Sequence, residues 1–328
     1  MPTNLPPDYF AVEKRYRAAQ SPREKIELVE EMLSIVPKHK GTDHLRADLR
    51  RRLSKLKSQP QSKKGSGKRD FAFHLDREGA GQVPLVGMAN VGKSALVAAL
   101  TRATPEVSAA PYTTWQPTPG MMEYEDVHFQ LVDTPSLNRD FVEPALMDLI
   151  RRADLITLVI DLQTYPLEQL EASILMLEQH HVVPRRWQGR YDSEQRMAYM
   201  PVQVLVNKHD DERTDSDWEV INELLGQEWP LLPVSAATGR GRERLGQVLF
   251  DRLEVMRIYS KPPGQEPDLS SPYVMHKEGT LEEFAVGVHK DFYERLKSAR
   301  VWGSGVYDGQ MVGRDHLLHD GDIVELRL

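Results

Sequence analysis

Between residues 70 and 258, short apolar runs alternate with stretches whose apolar positions recur at helical spacing, the pattern of an α/β sheet domain. The runs at 83–87, 119–125, 127–133, 155–161, 202–207 and 231–234 predict strands. Met121–Glu125 and Val127–Val132 lie too close together for a crossover helix, so they should pair as an antiparallel hairpin at the edge of an otherwise parallel sheet. Residues 185–200, RRWQGRYDSEQRMAYM, interrupt the alternation and read as a surface insertion.

The flanks follow other rules. Ser21-Pro22-Arg23-Glu24 offers an N-cap, a proline at the first helical position and a capping-box glutamate. Ile26, Val29, Met32, Leu33 and Val36 then share one helical face, and Pro37–Gly41 ends it. Thr42 or Asp43 can cap a second helix, with Leu45, Leu49, Leu53 and Leu56 on one side and Arg46, Arg50, Arg51, Arg52, Lys55 and Lys57 on the other. A helical hairpin with one basic face is expected, followed by a linker at 58–69. A second linker, rich in proline, is expected at 259–271. Beyond it, Thr280-Leu281-Glu282-Glu283 reads as a capping box opening a helix that carries Phe284, Val288 and Phe292 on one face, more simply core than base-stacking platforms. A tight turn at His319–Asp322 leads into a last strand, Ile323–Leu326. The expected domains are 1–69, 70–260 and 261–328.

Composition narrows the classes. With 40% hydrophobic and 28% charged residues the chain is globular, and no apolar run reaches the ~20 residues of a membrane span. The first residues, MPTNLPPDYF, lack the regions of a signal peptide, and the absence of cysteine excludes disulfides, thiol catalysis and cysteine-bound zinc. A cytoplasmic protein is expected. Residues 1–69 carry 17 Lys+Arg against 8 Asp+Glu, net +9, whereas the rest carries 25 against 41, net −16. A basic arm on an acidic body suits an anionic partner such as RNA or a ribonucleoprotein, and equally a solvated helix face.

The chemistry begins at residues 87–94. GMANVGKS fits G-x-x-x-x-G-K-[ST] between an apolar run and a helix-forming run, the context of a phosphate-binding loop. Gly87 and Gly92 allow tight turning. The backbone of Asn90, Val91, Gly92, Lys93, Ser94 and Ala95 would cradle phosphate oxygens at the helix N-terminus. Lys93 would reach the β- and γ-phosphates, and Ser94 would hold Mg²⁺. Asp133 ends the run FQLVD, where a carboxylate can hold Mg²⁺ through water. Thr113 or Thr114, in AAPYTTWQPTPG, could add a hydroxyl to the metal. Asn207-Lys208-His209-Asp210 follows an apolar run as N-K-x-D. The carboxylate of Asp210 can accept both the N1–H and the 2-amino group of guanine, a donor pair that adenine lacks. Lys208 can lie along the base, and the small residues Ser235, Ala236 and Ala237 let a backbone N–H approach the guanine O6.

On GMANVGKS, PYTTWQPTPG, FQLVDTP, NKHD and SAA, the chain resembles the Obg-related GTPases, in particular the DRG-like group with a TGS domain. VPKHKGTDHLRADLRRRLSKL is similar to that group's basic N-terminal helices, and HKDFYERLKSARVWGSGVYDGQMVGRDHLLHDGDIVEL to its TGS ending. The resemblance implies a Ras-like core, a ubiquitin-like β-grasp at the C-terminus, and a GTPase using Mg²⁺ that associates with ribosomes or RNA. It implies Thr114 as the switch threonine that ligates Mg²⁺, and Asn90 as a ligand of K⁺ beside the phosphates, acting with Lys93 and Thr114 in catalysis. Two departures stand out. The expected D-x-x-G reads Asp133-Thr134-Pro135-Ser136, and Leu137 stands where Ras-like enzymes carry a water-orienting Gln. Slow hydrolysis is expected, or a guanine-nucleotide-gated scaffold with negligible hydrolysis. The large insertion common in DRG-type cores after the second switch is not evident.

Overall fold

A computed structural model describes residues 12, 28–29, 31–33, 35–36, 49, 73–103, 116–138 and 142–327. The chain divides into two units, 1–69 and 70–328. In the first, the described residues at 28–29, 31–33 and 35 are helical, and Val12, Leu28, Val29, Met32, Val36 and Leu49 share one buried cluster. Val29, Met32 and Val36 are three of the positions that the helical spacing assigned to the apolar face. Ile26, Leu45, Leu53, Leu56 and the Arg50–Arg52 cluster lie outside the described residues.

The second unit opens with β1 (Gln82–Val86), the loop 87–92 and α1 (Lys93–Leu100). Next come β2 (Thr118–Tyr124), β3 (Val127–Asp133), α2 (Pro144–Arg152), β4 (Ile156–Asp161) and α3 (Pro166–Gln179). The short strands β5 (Val182–Pro184) and β6 (Ala198–Met200) precede β7 (Val202–Asn207), α4 (Asp215–Leu225), β8 (Leu231–Pro233) and α5 (Arg242–Arg252). The main sheet runs β2-β3-β1-β4-β7-β8. Only β2 is antiparallel, paired with β3 from Thr118↔Asp133 to Tyr124↔Val127, as the short connection required. Residues 185–200 form two short 3-10 turns and β6, which adds a parallel partner to β5.

Both faces of this sheet are buried, as parallel strands demand. Ile156, Leu158, Ile160, Val204 and Val206 face α2 and α3 in one apolar cluster. Val83, Leu85, Leu131, Val159 and Leu205 face α1 and α5 in another. Each fully buried Leu or Ile contributes about 1.5–3 kcal/mol. Pro84 sits inside a central strand, where its missing N–H removes a ladder donor. Its carbonyl is instead engaged by the Thr157 hydroxyl at 2.8 Å. Gln82 donates to Gln130 on the neighbouring strand at 2.8 Å, and the Gln130 amide donates in turn to the Asp76 carbonyl at 2.9 Å.

The second sheet begins earlier than the sequence suggested. β9 (Val255–Ser260), assigned beforehand to the first domain and the opening of a linker, pairs with β10 (Tyr273–His276) and β13 (Asp322–Arg327). With β11 (Ser298–Trp302) and β12 (Gln310–Val312) the order is β10-β9-β13-β11-β12. The first and last strands lie parallel at the centre. α6 (Leu281–Val288) opens with the capping box expected at Thr280: its hydroxyl accepts from Glu283 N–H, and Glu283 accepts from Thr280 N–H. The single helix expected through Phe292 is broken at His289, whose backbone is extended, and α7 (Lys290–Arg295) follows. Phe284 is buried in the core of this sheet, against Leu281, Val301 and Val324.

The two sheets are joined by charge. Arg257 on β9 reaches Glu125 and Asp126 at the tip of the β2–β3 hairpin, and Asp320 beside β13 at 2.8 Å. Tyr259 donates its hydroxyl to Asp126. Burial, with that hydrogen bond, pushes the Tyr259 phenol up to about 12. Asp320, the strongest of its partners, holds the Arg257 guanidinium charged well above its usual range. Replacing Arg257 by Met would leave three carboxylates without their cation. The expected outcome is a loss of about 0.5–1 kcal/mol in the opening free energy of β9, read by amide hydrogen exchange.

Candidate functional site

The carboxyl ends of β1, β3, β4, β7 and β8 carry the loops that bring the motif residues together, the position where open α/β sheets bind ligands. β1 delivers the loop 87–92. A Cβ on Gly87 would meet the Val159 carbonyl at 2.4 Å, so the loop passes too close to β4 for any side chain. Gly92 caps α1 in a left-handed conformation (φ 92°) and has no side chain to set against the first-turn amides. Such a terminus favours an anion. The Lys93 ammonium lies inside the loop, donating to the carbonyls of Met88 at 2.7 Å and Gly87 at 3.1 Å. Asn90 sits at the exposed crown, also left-handed (φ 64°).

β3 ends at Asp133, fully buried. The Ser94 hydroxyl donates to its carboxylate at 2.6 Å. A hydroxyl and a carboxylate at this separation, beside an anion-favouring loop, fit a hard divalent cation whose remaining ligands are water and phosphate oxygens. Thr134 donates its hydroxyl to the Leu85 carbonyl, and Leu137 N–H donates to the Gly87 carbonyl. The Leu137 side chain is fully buried in the core cluster with Val86 and Leu146. It faces the core and not the loop. Ser136 is buried beside it. Thr113 and Thr114 lie outside the described residues.

β7 and β8 supply the other half. Asn207, almost wholly buried, donates to the Val91 carbonyl at 2.8 Å and accepts from Ala236 N–H at 3.2 Å. One carboxamide therefore ties the loop 87–92 to the loop after β8. Asp210 accepts from the Ser235 hydroxyl at 2.5 Å, which orients its carboxylate while leaving lone pairs for other donors. The Ser235 hydroxyl also accepts from Thr238 N–H at 3.0 Å, and Ala237 lies in the turn so formed. His209 points inward and shares a hydrogen bond with Asp215 at 2.7 Å. Lys208 (φ 66°) meets Asp161 at 2.5 Å.

Sequence reasoning overlooked three participants. Asp161 ends β4 as Asp133 ends β3, and that shared strand-end pattern was the available signal. Gln163 contacts the 207–210 turn, and Asn138 accepts from Ala89 N–H at 3.0 Å; no local pattern marks either.

Comparison with known proteins fits this geometry. Residues 82–187 match the family described as 50S ribosome-binding GTPase, and residues 256–327 match the TGS domain. The chain is similar to Developmentally-regulated G-protein 3 of Arabidopsis thaliana, 27% identical over 92% of this chain and 98% of that one. It is DRG-like: a GTPase with a TGS domain. It is also similar to Ribosome-interacting GTPase 1 of Saccharomyces cerevisiae, 26% identical over 92% of this chain and 98% of that protein. In fold, the solved YchF GTPase of Schizosaccharomyces pombe covers 77% of this chain and 99% of its own at a TM-score of 0.50 and 14% identity. The GTPase family that the chain matches binds GTP and GDP, normally with Mg²⁺. The match to the TGS domain starts inside β9, consistent with that strand belonging to the second sheet.

A Cβ at position 92 would fall 2.3 Å from the Asn207 amide nitrogen. Gly92→Ala should therefore displace Asn207 and strain the left-handed cap, costing about 1–3 kcal/mol of stability. Isothermal titration with GDP should show affinity weakened at least about ten-fold.

Proposed function

We propose that this DRG-like GTPase is a slow, Mg²⁺-dependent molecular switch whose nucleotide state is read on a ribosome or RNA partner. The observation that carries the reading is the convergence of Lys93, the Ser94–Asp133 pair, and the Asn207, Asp210 and Ser235 group along one edge of the sheet. In this reading Lys93 and the amides of Val91–Ala95 bind phosphate. Ser94 and Thr114 ligate Mg²⁺, with Asp133 behind a water. Asn207, Lys208, Asp210 and the Ser235–Ala237 loop select guanine. When bound, Mg²⁺ neutralises charge between the β- and γ-phosphates. Catalysis is then positional and electrostatic, because the described residues directly after Asp133, Thr134 to Asn138, offer no side chain suited to act as a base. Leu137 is committed to the core, which supports a slow intrinsic rate. Asn90, exposed at the crown of the loop, would help hold K⁺ as a fixed positive charge near the developing phosphate charge.

A second reading, a guanine-nucleotide-gated scaffold with negligible hydrolysis, is favoured by Ser136 in place of glycine and by its burial. Single-turnover GTP hydrolysis with Mg²⁺ in KCl and NaCl, with Asn90→Ala alongside, separates the two. The switch reading expects a rate on the order of 10⁻⁴–10⁻³ s⁻¹ in KCl, lower in NaCl and in the variant. Tight GTP binding with no hydrolysis in either salt supports the scaffold.

The ribosome or RNA part is supported by the printed name of the yeast relative and by the basic arm, net +9 over residues 1–69. No helix among the described residues is long and apolar enough to cross a membrane, and the proposed setting is the cytoplasm. Replacing Arg50, Arg51 and Arg52 by Ala should weaken RNA binding and flatten the slope of log K against log[salt] by about two to three. An unchanged slope returns these residues to a solvated face.

A further inference from the structure

β4 lies between the phosphate-loop strand and the strand that leads to NKHD, and its last residue is in register with Asn207. The three residues that leave it, Asp161-Leu162-Gln163, each take hold of the NKHD turn. The Asp161 carboxylate accepts from the Lys208 ammonium at 2.5 Å. Leu162 N–H donates to the Asn207 carbonyl at 3.0 Å. The Gln163 amide donates to the Lys208 carbonyl at 2.9 Å and lies 3.5 Å from the Asp210 carboxylate. The clamp is itself stiffened: Gln163 N–H donates back to Asp161 at 3.0 Å, and Asp161 N–H donates to Gln169 at 2.8 Å.

Lys208 needs such a hold. It is a non-glycine residue in the left-handed region, where a long side chain is disfavoured, and its carbonyl and its ammonium are pinned from the same loop. Asp210 is held from two sides, by Ser235 at one carboxylate oxygen and by Gln163 at the other. The oxygen facing Gln163 retains lone pairs, so a base donor can share it.

We infer that the Asp161–Gln163 loop, and Gln163 in particular, is a specificity-determining positioning element that aims both oxygens of Asp210 at guanine. This rests on the reading of NKHD as the base-selecting turn. Gln163 is exposed and packs no core, so its replacement tests the inference without threatening the fold. Its consequence is specific to the 2-amino group. A carboxylate held at both oxygens meets N1–H and the amino group together, whereas one free to rotate keeps a single contact. Hypoxanthine, which has N1–H and lacks the amino group, separates these cases.

The test is displacement of a fluorescent GDP analogue from the full-length protein by GDP, IDP and ADP, for wild type, Gln163→Met and Gln163→Glu. Diphosphates keep hydrolysis out of the measurement. Gln163→Met preserves length and removes the donor. GDP affinity should fall about ten-fold while IDP affinity stays within about two-fold, so the GDP-to-IDP preference collapses. Gln163→Glu, which sets a carboxylate against that of Asp210, should lower the preference further. Two outcomes overturn the inference. One is a wild-type preference in both variants. The other is an equal fall for GDP and IDP, which marks a merely structural contact. ADP reports on the underlying reading: wild-type protein that binds ADP as well as GDP would refute NKHD as a guanine selector, independently of how Gln163 behaves.

Discussion

One carboxamide organises the nucleotide end of this molecule. Asn207 spans the phosphate loop and the loop after β8 with a hydrogen bond to each, and it does so in a space that exists because residue 92 has no side chain. The segments proposed to bind phosphate and to read the base lie more than 100 residues apart in sequence. Joined through Asn207, they are held at a fixed separation. Less ordering is then needed on binding, which is the general route from preorganisation to affinity. The constraint is reciprocal: glycine at 92 serves the position of Asn207 as much as the turn of the loop.

Local chemistry made much of this legible. Glycines at 87 and 92 followed by Lys93 and Ser94, after an apolar run, leave few alternatives to a strand, a tight loop and a helix. The β2–β3 hairpin followed from a connection too short for a crossover. The Thr280 capping box followed from four consecutive residues. What escaped was set by partners distant in sequence. Val255–Ser260 precedes a Pro-Pro-Gly stretch and looks like the approach to a linker, but its pairing with Asp322–Val324 makes it a central strand. Phe284, Val288 and Phe292 keep helical spacing across His289, so the break there is invisible to periodicity. The hold of Asp161 and Gln163 on the 207–210 turn depends on two strands lying side by side in register, a fact of the sheet and not of either segment.

The link between the sheets has a different character from the core. Arg257 and Tyr259 occupy neighbouring outward positions of one strand, and both address the Glu125–Asp126 turn. That turn is the far end of the hairpin whose first strand, β2, follows Thr113 and Thr114 in the sequence. A guanidinium shared among three partly exposed carboxylates is strong in geometry and modest in energy, because solvent screens each pair. Apolar packing would make such a joint rigid over every state of the chain. A charged and hydrogen-bonded joint keeps the TGS sheet registered to the hairpin at a cost of opening that remains small.

The segment that follows β3 shows where rigidity stops. Asp133 is tied to Ser94, Thr134 to the Leu85 carbonyl, and Leu137 both to the Gly87 carbonyl and to the core. Asp133, Thr134 and Leu137 are thereby fixed to β1, its loop and the α1 terminus, so Leu137 has no freedom to serve the ligand. The first residue beyond these anchors is Asn138, and its contact is with an amide of the phosphate loop itself, Ala89 N–H. A core-bound Leu137 thus moves the boundary between scaffold and switch to residue 138. A ligand oxygen that claims the Ala89 amide competes with the side chain at that boundary and leaves the packed core untouched.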